Sequence, residues 1–290
     1  MYAFFISVQV SLCLLPAKIR VRFGESVSEA CIEVGVNGGT NDHSIRDQQI
    51  ILPWLGTSDI GNTGFRFVRI DLLSPDTKLE IKEINARFVH RDIPYIGSFQ
   101  SSDDRLNKIW LTGAYTVHLN MQEYLWDGIK RDRLIWAGDL HPEIMTINSV
   151  FGKNEVVPKS LDQIRDLTPL PQWMNGISSY SMWWILIHKD WYLYHGDLEY
   201  LKQQRNYLSA LLKQLASKVD SSGKEKLDGW RFLDWPSSRN PEAIHIGLQS
   251  LLSMSFEAGI YLSEHLEDKE SLEICRSALK KMDQYKPKAT

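Results

Sequence analysis

Cysteine is scarce: Cys13, Cys31 and Cys275 are the only three in 290 residues, and their spacing suits neither a metal nor a redox pair. As isolated thiols they are expected to be small buried apolar side chains. No run is long and apolar enough to span a bilayer. Met1–Leu15 is apolar but has no basic start, and Ser7, Gln9 and Ser11 interrupt it. It therefore reads as a strand over Phe4–Leu12 rather than a leader. There is no excess of one charge either. The net charge is -3, with ten basic and eleven acidic side chains up to residue 96 and 23 against 25 beyond. That balance gives no footprint for nucleic acid or an anionic membrane. The chain also lacks a glycine-rich phosphate loop, a Gly-x-Ser-x-Gly elbow and any His-x-x-x-His or His-Glu-x-x-His spacing among His141, His188, His195 and His245. Phosphate-loop, serine-hydrolase and zinc chemistry lose their usual signatures, so no cofactor and no metal is expected.

Apolar residues make up 43% of the chain and charged residues 24%, enough for a sizeable core. The patterning changes near residue 97. Before it come short runs of β type at Lys18–Phe23, Ala30–Val36, Gln49–Leu52, Phe65–Leu73 and Leu79–Val89. Turn signals at Asn37-Gly38-Gly39, Gly61-Asn62 and Ser74-Pro75-Asp76 separate them. Lys18, Arg20 and Arg22 alternate with Ile19, Val21 and Phe23, as on a strand with one solvated face. Asn41–His43 with Arg46 and Asp47 reads as a polar Asx-type turn with ion pairs. Residues 1–96 are thus expected to form a β-sandwich or part of one.

After residue 97 the period becomes helical. Ser101 or Ser102 can cap a helix with Leu106, Ile109, Trp110, Gly113 and Val117 on one face. Six further stretches follow: His141–Phe151, Pro158–Leu167, Ser179–His195, Leu198–Val219, Glu242–Leu266 and Lys269–Tyr285. Seven helices with uneven loops predict helical hairpins over 97–290. The loops at 124–140, 168–178 and 220–241 are rich in Trp, Asp, Gly and Pro, and long loops of that kind on a helical scaffold are commonly functional. Nine of the ten tryptophans lie after residue 100, and Trp126, Trp136, Trp173, Trp230 and Trp235 fall in or beside these loops. An indole stacks on the C–H face of a pyranose and offers one N–H donor.

The densest chemistry lies between Asp127 and Glu143. Four carboxylates (Asp127, Asp132, Asp139, Glu143) and three cations (Lys130, Arg131, Arg133) share this stretch with Trp136 and two glycines. So much charge is poor core material, and a loop that offers acids, a guanidinium fork and an indole suits a sugar.

Asp127-x-x-x-Arg131-Asp132, followed by Trp136 and Asp139, resembles the acid-bearing loop of family 78 glycoside hydrolases, the bacterial α-L-rhamnosidases. The flanks agree: Gly97-Ser98-Phe99 leading into Ser102-Asp103-x-x-Leu106-Asn107-x-Ile109-Trp110, the Arg20–Ser26 and Gly64–Phe67 segments, and Phe232-Leu233-Asp234-Trp235. The resemblance implies an α+β multidomain chain, with an N-terminal β-sandwich (1–96) leading into part of an (α/α)6 toroid of helical hairpins (97–290). It implies hydrolysis, with inversion, of a terminal α-linked rhamnose or related deoxysugar. Asp132 would be the general acid. Asp127 and Asp139 would tune it and accept from sugar hydroxyls, with Arg131 orienting them. Trp136 would form an apolar wall, and Trp230, Asp234 and Trp235 would contact substrate. A periplasmic or extracellular setting would fit such an enzyme.

Three departures accompany the resemblance. Asp132 stands where the family usually has Glu, which displaces the carboxyl by about 1 Å. No Thr-x-Trp-Glu-like segment supplies the general base, and neither Asp234 nor Glu242 is placed by spacing to replace it. A closed toroid takes twelve helices against seven here, so the chain reads as truncated at its C-terminus and at its start. An open half-toroid would expose an apolar seam and self-associate. The alternative is a sugar-binding or decayed glycosidase without turnover.

Overall fold

The structure, a computed structural model, describes residues 3–13, 16–36 and 45–287. The turns expected at Asn37–Gly39 and Asn41–His43 lie outside these residues, as does the Cys13 side chain. The chain divides into two compact units. One comprises Met1–Asp92 with Trp126–Leu134, the other Ile93–Leu125 with Ile135–Thr290.

The first unit holds β1 (Ala3–Cys13), β2 (Ala17–Gly24), α1 (Val27–Cys31), β3 (Asp47–Leu52), β4 (Gly56–Phe65), β5 (Phe67–Leu72) and β6 (Leu79–Arg87). They form two antiparallel three-stranded sheets, ordered β4-β1-β6 and β3-β2-β5. Period-two alternation puts Ile6, Val8 and Val10 of β1 and Ile19, Val21 and Phe23 of β2 into one buried cluster with Leu52, Ile60 and Phe65. The central strand of each sheet thereby contributes its inner face to a common core.

Four expectations need correction in this unit. The run Ala30–Val36 is not a strand. Ser26 Oγ accepts from Glu29 N at 3.1 Å and starts the short helix α1, and this local cap overrides β propensity. Gly61-Asn62 is not a turn between strands but lies inside β4, where Asn62 takes φ 71°. The partners of β1 jump there from Ala3↔Phe65 to Phe5↔Gly61, the mark of a β-bulge. Arg20 and Arg22 do not form a solvated face. Asp71 and Glu33 hold the buried Arg22 guanidinium at 2.7 and 2.9 Å, while Asp47 and Glu33 hold Arg20. Strand pairing brings Asp47 and Asp71 beside arginines that are distant in sequence. The Cys31 thiol is exposed, also against expectation, whereas Cys275 is buried, which pushes its thiol up to about 12.

In the second unit all seven expected helices form: α2 (Asp104–Asn120), α3 (Leu140–Val150), α4 (Val156–Asp166), α5 (Ser178–His195), α6 (Leu198–Ser217), α7 (Pro241–His265) and α8 (Lys269–Met282). Asp103, rather than Ser101 or Ser102, caps α2 by accepting from Arg105 N at 2.8 Å. Of the face read for α2, Val117 is buried while Leu106 and Ile109 are exposed. Helix α5 packs against α3 and α7, and α8 packs against α6 and α7. Its Trp184 and Trp191 are fully buried in a core continued by Leu211, Leu212, Leu248, Leu252 and Phe256. No described helix is long and apolar enough to cross a membrane.

A polar network runs through this core. Asp162 Oδ1 accepts from Arg165, Tyr200 and Gln204, and the Tyr200 hydroxyl lies 3.5 Å from His188 Nε2. Burial holds His188 down to about 4. The unfolded chain takes up this proton near 6.5 and the folded chain resists it, so stability is full above pH 6.5 and declines as pH falls through the window to about 4. Denaturant melts across that window should show the slope in the wild type, and His188→Gln should remove much of it.

Candidate active site

The segment from Asp127 to Glu143 is divided between the two units, and each part is built differently. In the first, residues 126–134 form a closed loop. Asp127 N donates to Leu134 O at 3.1 Å, and Leu134 N donates back to Asp127 Oδ1 at 2.9 Å. One Asp127 oxygen is therefore committed to holding the loop shut. At its tip Asp132 and Arg133 take φ 53° and 55°, the left-handed region. Two such residues in a row cost about 1–3 kcal/mol each, with Asp among the better tolerated. The surroundings hold the tip in place. Gly64 N donates to Ile129 O at 2.8 Å, Thr63 Oγ1 to Lys130 O at 3.3 Å, and Arg133 to the Asn62 carbonyl, while Lys130 pairs with Glu29. The β4 bulge and α1, both unforeseen, thus supply the loop's anchors. Asp132 is largely shielded, with the exposed Arg131 placing Nε 3.9 Å from its Oδ1. The Arg133 guanidinium lies 5.9 Å over Trp126, and burial lowers its pKa.

In the second unit, three loops meet ahead of α3, α5 and α7. Asn175, at φ 53°, clamps two of them. Its Oδ1 accepts from Ala137 N at 3.0 Å and its Nδ2 donates to Ile135 O at 3.1 Å. The third joins where Trp230 N donates to Gly176 O at 3.0 Å. Trp136 stands edge-on to Tyr180, with centroids 6.2 Å apart and planes at 88°. Gly138 permits this, since a Cβ there would sit 2.3 Å from the Tyr180 ring. The Trp136 Nε1–H is shielded from solvent and, among the described residues, has no hydrogen-bond partner.

Tyr180 leads on to Phe232 at 6.4 Å, and Phe232 touches both Trp230 and Trp235 at 5.1 Å. Trp230 and Trp235 are 51% and 73% exposed and meet at 70°, a two-walled aromatic corner open to solvent. Of the acids, Asp139 is exposed at the start of α3 and makes no capping bond with its side chain. Glu143 is buried and accepts from Asn120 at 2.7 Å. Asp234 turns onto Ser237, whose hydroxyl and backbone N–H hold its carboxyl below the usual range.

Sequence reasoning missed Asn175, Tyr180, Glu225, Arg231 and His245. Asn175-Gly176 carried a signal, since an Asn-Gly pair favours positive φ. Tyr180 lies at the head of an apolar helix and carried none. Glu225, Arg231 and His245 meet only in three dimensions. Among the described residues no three His, Cys, Asp or Glu side chains are grouped to hold a metal ion.

Successive helices with long loops gathered at one end, preceded by paired β-sheets, define the chain as a member of the six-hairpin glycosidase class. It belongs to the bacterial α-L-rhamnosidase family, whose six-hairpin glycosidase domain profile matches residues 94–266. No curated protein sequence matches the chain. Among solved structures, a rhamnosidase from Klebsiella oxytoca with rhamnose bound is similar over 97% of this chain and 59% of its own, at 21% identity and a TM-score of 0.77. A family 78 rhamnosidase of Bacillus sp. GL1 is similar over 98% of this chain and 30% of its own, at 20% identity and a TM-score of 0.75. The chain thus spans 30% and 59% of the length of these two relatives.

Proposed function

We propose that this chain binds a terminal α-L-rhamnosyl residue and carries the proton-donating part of an inverting α-L-rhamnosidase site. The observation that carries the reading is the Asp127–Asp139 motif in a member of this family. Asp132 is the general acid, its carboxyl largely shielded beside Arg131. Arg131 orients the sugar hydroxyls, Asp127 and Asp139 accept from them, and Trp136, Trp230, Asp234 and Trp235 line the substrate. The rhamnose carried by the Klebsiella relative supports the choice of sugar. In the same proposal residues 1–96 form the supporting β domain and residues 97–290 the helical domain. Inversion also needs a carboxylate about 6.5–9.5 Å from the acid, on the opposite face of the sugar. We assign none within this chain.

Titration calorimetry with L-rhamnose, run beside hydrolysis of an aryl α-L-rhamnoside, tests the reading. Binding with turnover is the expected result, and absence of both overturns it. A second reading, sugar binding without turnover, is favoured by Asp in place of the usual Glu, and binding alone would select it.

A further inference from the structure

The aromatic corner starts from residues 230–232, whose side chains alternate. Trp230 and Phe232 fall together on one side, and Arg231 points to the other. There it meets Glu225. Arg231 Nη1 donates to Glu225 Oε2 at 2.8 Å and to Leu227 O at 2.9 Å, and Nη2 donates to Glu225 Oε1 at 2.5 Å. The Glu225 side chain is fully buried. Its remaining positions are filled by Leu227 N at 2.9 Å and His245 Nδ1 at 2.6 Å, and His245 Nε2 lies 3.1 Å from the Tyr285 hydroxyl. The backbone of Glu225 is pinned as well, its N–H donating to Gln249 Oε1 at 2.8 Å.

An extended segment has only two faces, and a slip of one residue exchanges them. The fork between Arg231 and Glu225 is bidentate, so it fixes direction as well as distance. The neighbouring anchors are single bonds: Trp230 N to Gly176 O, and Ser179 Oγ to Phe232 O at 2.6 Å. We infer that Arg231, held by Glu225 and His245, is the positioning residue for substrate recognition in this chain, setting which face of residues 230–232 offers Trp230 to the sugar. The inference rests on the proposal that Trp230 contacts substrate. Arg231 is not itself assigned to touch the sugar.

The test is a double-mutant cycle on the full chain, read by calorimetry with L-rhamnose. Arg231→Gln is expected to raise Kd at least tenfold, and Trp230→Ala to do the same. The two together should be no worse than the weaker-binding single variant, because the arginine acts through the indole. Binding stoichiometry separates positioning from simple loss of fold: a structural defect lowers the fraction of competent sites at unchanged Kd, whereas a misplaced corner raises Kd at full stoichiometry. If Arg231→Gln does not fold, Arg231→Lys keeps the charge without the fork, and an intermediate Kd is expected.

An unchanged Kd in a folded Arg231 variant, while the wild type binds, overturns the inference and leaves the sugar site standing. An equal further loss in the Trp230→Ala background overturns it too. A wild type that binds no rhamnose overturns both.

Discussion

Replacing Asp132 by Asn is expected to lower hydrolysis of α-L-rhamnosides by at least ~100-fold, the low end of what a positioned general acid contributes. The amide keeps the size of the side chain and removes only the transferable proton. The left-handed tip at residues 132 and 133 should survive, because Asn tolerates φ near +53° as well as Asp does. The loss should also depend on the leaving group. A nitrophenolate departs with little help, whereas an alkoxide must be protonated as its bond breaks, so alkyl rhamnosides should suffer more than activated aryl ones. Equal rates for both variants on an alkyl rhamnoside would remove Asp132 from the acid role. The reverse experiment is Asp132→Glu. It restores the methylene usual in the family and moves the carboxyl by about 1 Å, a displacement that can be worth ~100-fold. A gain in rate is expected, measured as kcat/KM.

The largest expected effect on stability is at Glu225. Glu225→Ala should destabilise the fold by about 3–5 kcal/mol, because it strands Arg231 and exposes Leu227 N and His245 to the loss of a common acceptor. Arg231 is 37% exposed on its side chain, so solvent takes up part of its charge, and the lower end of that range is expected. Chemical denaturation of the single variants and of Glu225→Leu combined with Arg231→Met checks this. The double variant should recover part of the loss, since it removes both charges.

The same group gives a pH dependence. Burial pushes the Glu225 carboxyl up, but hydrogen bonds from Arg231, His245 and Leu227 outweigh it and leave it below its ordinary 4.5. A depressed carboxylate contributes stability that is complete above pH 4.5 and is lost as pH falls through the lower folded value. Acid melts of the wild type should steepen there, and those of Glu225→Ala should not.

The helices were legible because their signals are local. The 3.6-residue period of Leu201, Leu208, Leu211 and Leu215, and breaks such as Gly196-Asp197, report on a few neighbours at a time. The dense charged loop was visible for the same reason, since Asp127, Arg131, Asp132, Trp136 and Asp139 share one short stretch. Ala30–Val36 misled because its β-branched residues outweighed, on paper, one serine cap at Ser26. Arg22 misled because strand alternation tells which side a residue takes but not what awaits it there.

By itself the sequence determined the seven helices, the inward faces of β1 and β2, and a short stretch dense in carboxylates and cations. Only the tertiary structure decided that residues 126–134 cluster with the sheets, where a β-bulge and α1 hold the strained tip bearing Asp132. It alone joined Trp136, Tyr180, Phe232 and the Trp230–Trp235 corner, and set Glu225 behind Arg231. The physical reason is common to these cases. A hydrogen bond, an ion pair or a ring contact acts over a few ångströms of space, and sequence separation carries no information about which distant groups will be that close.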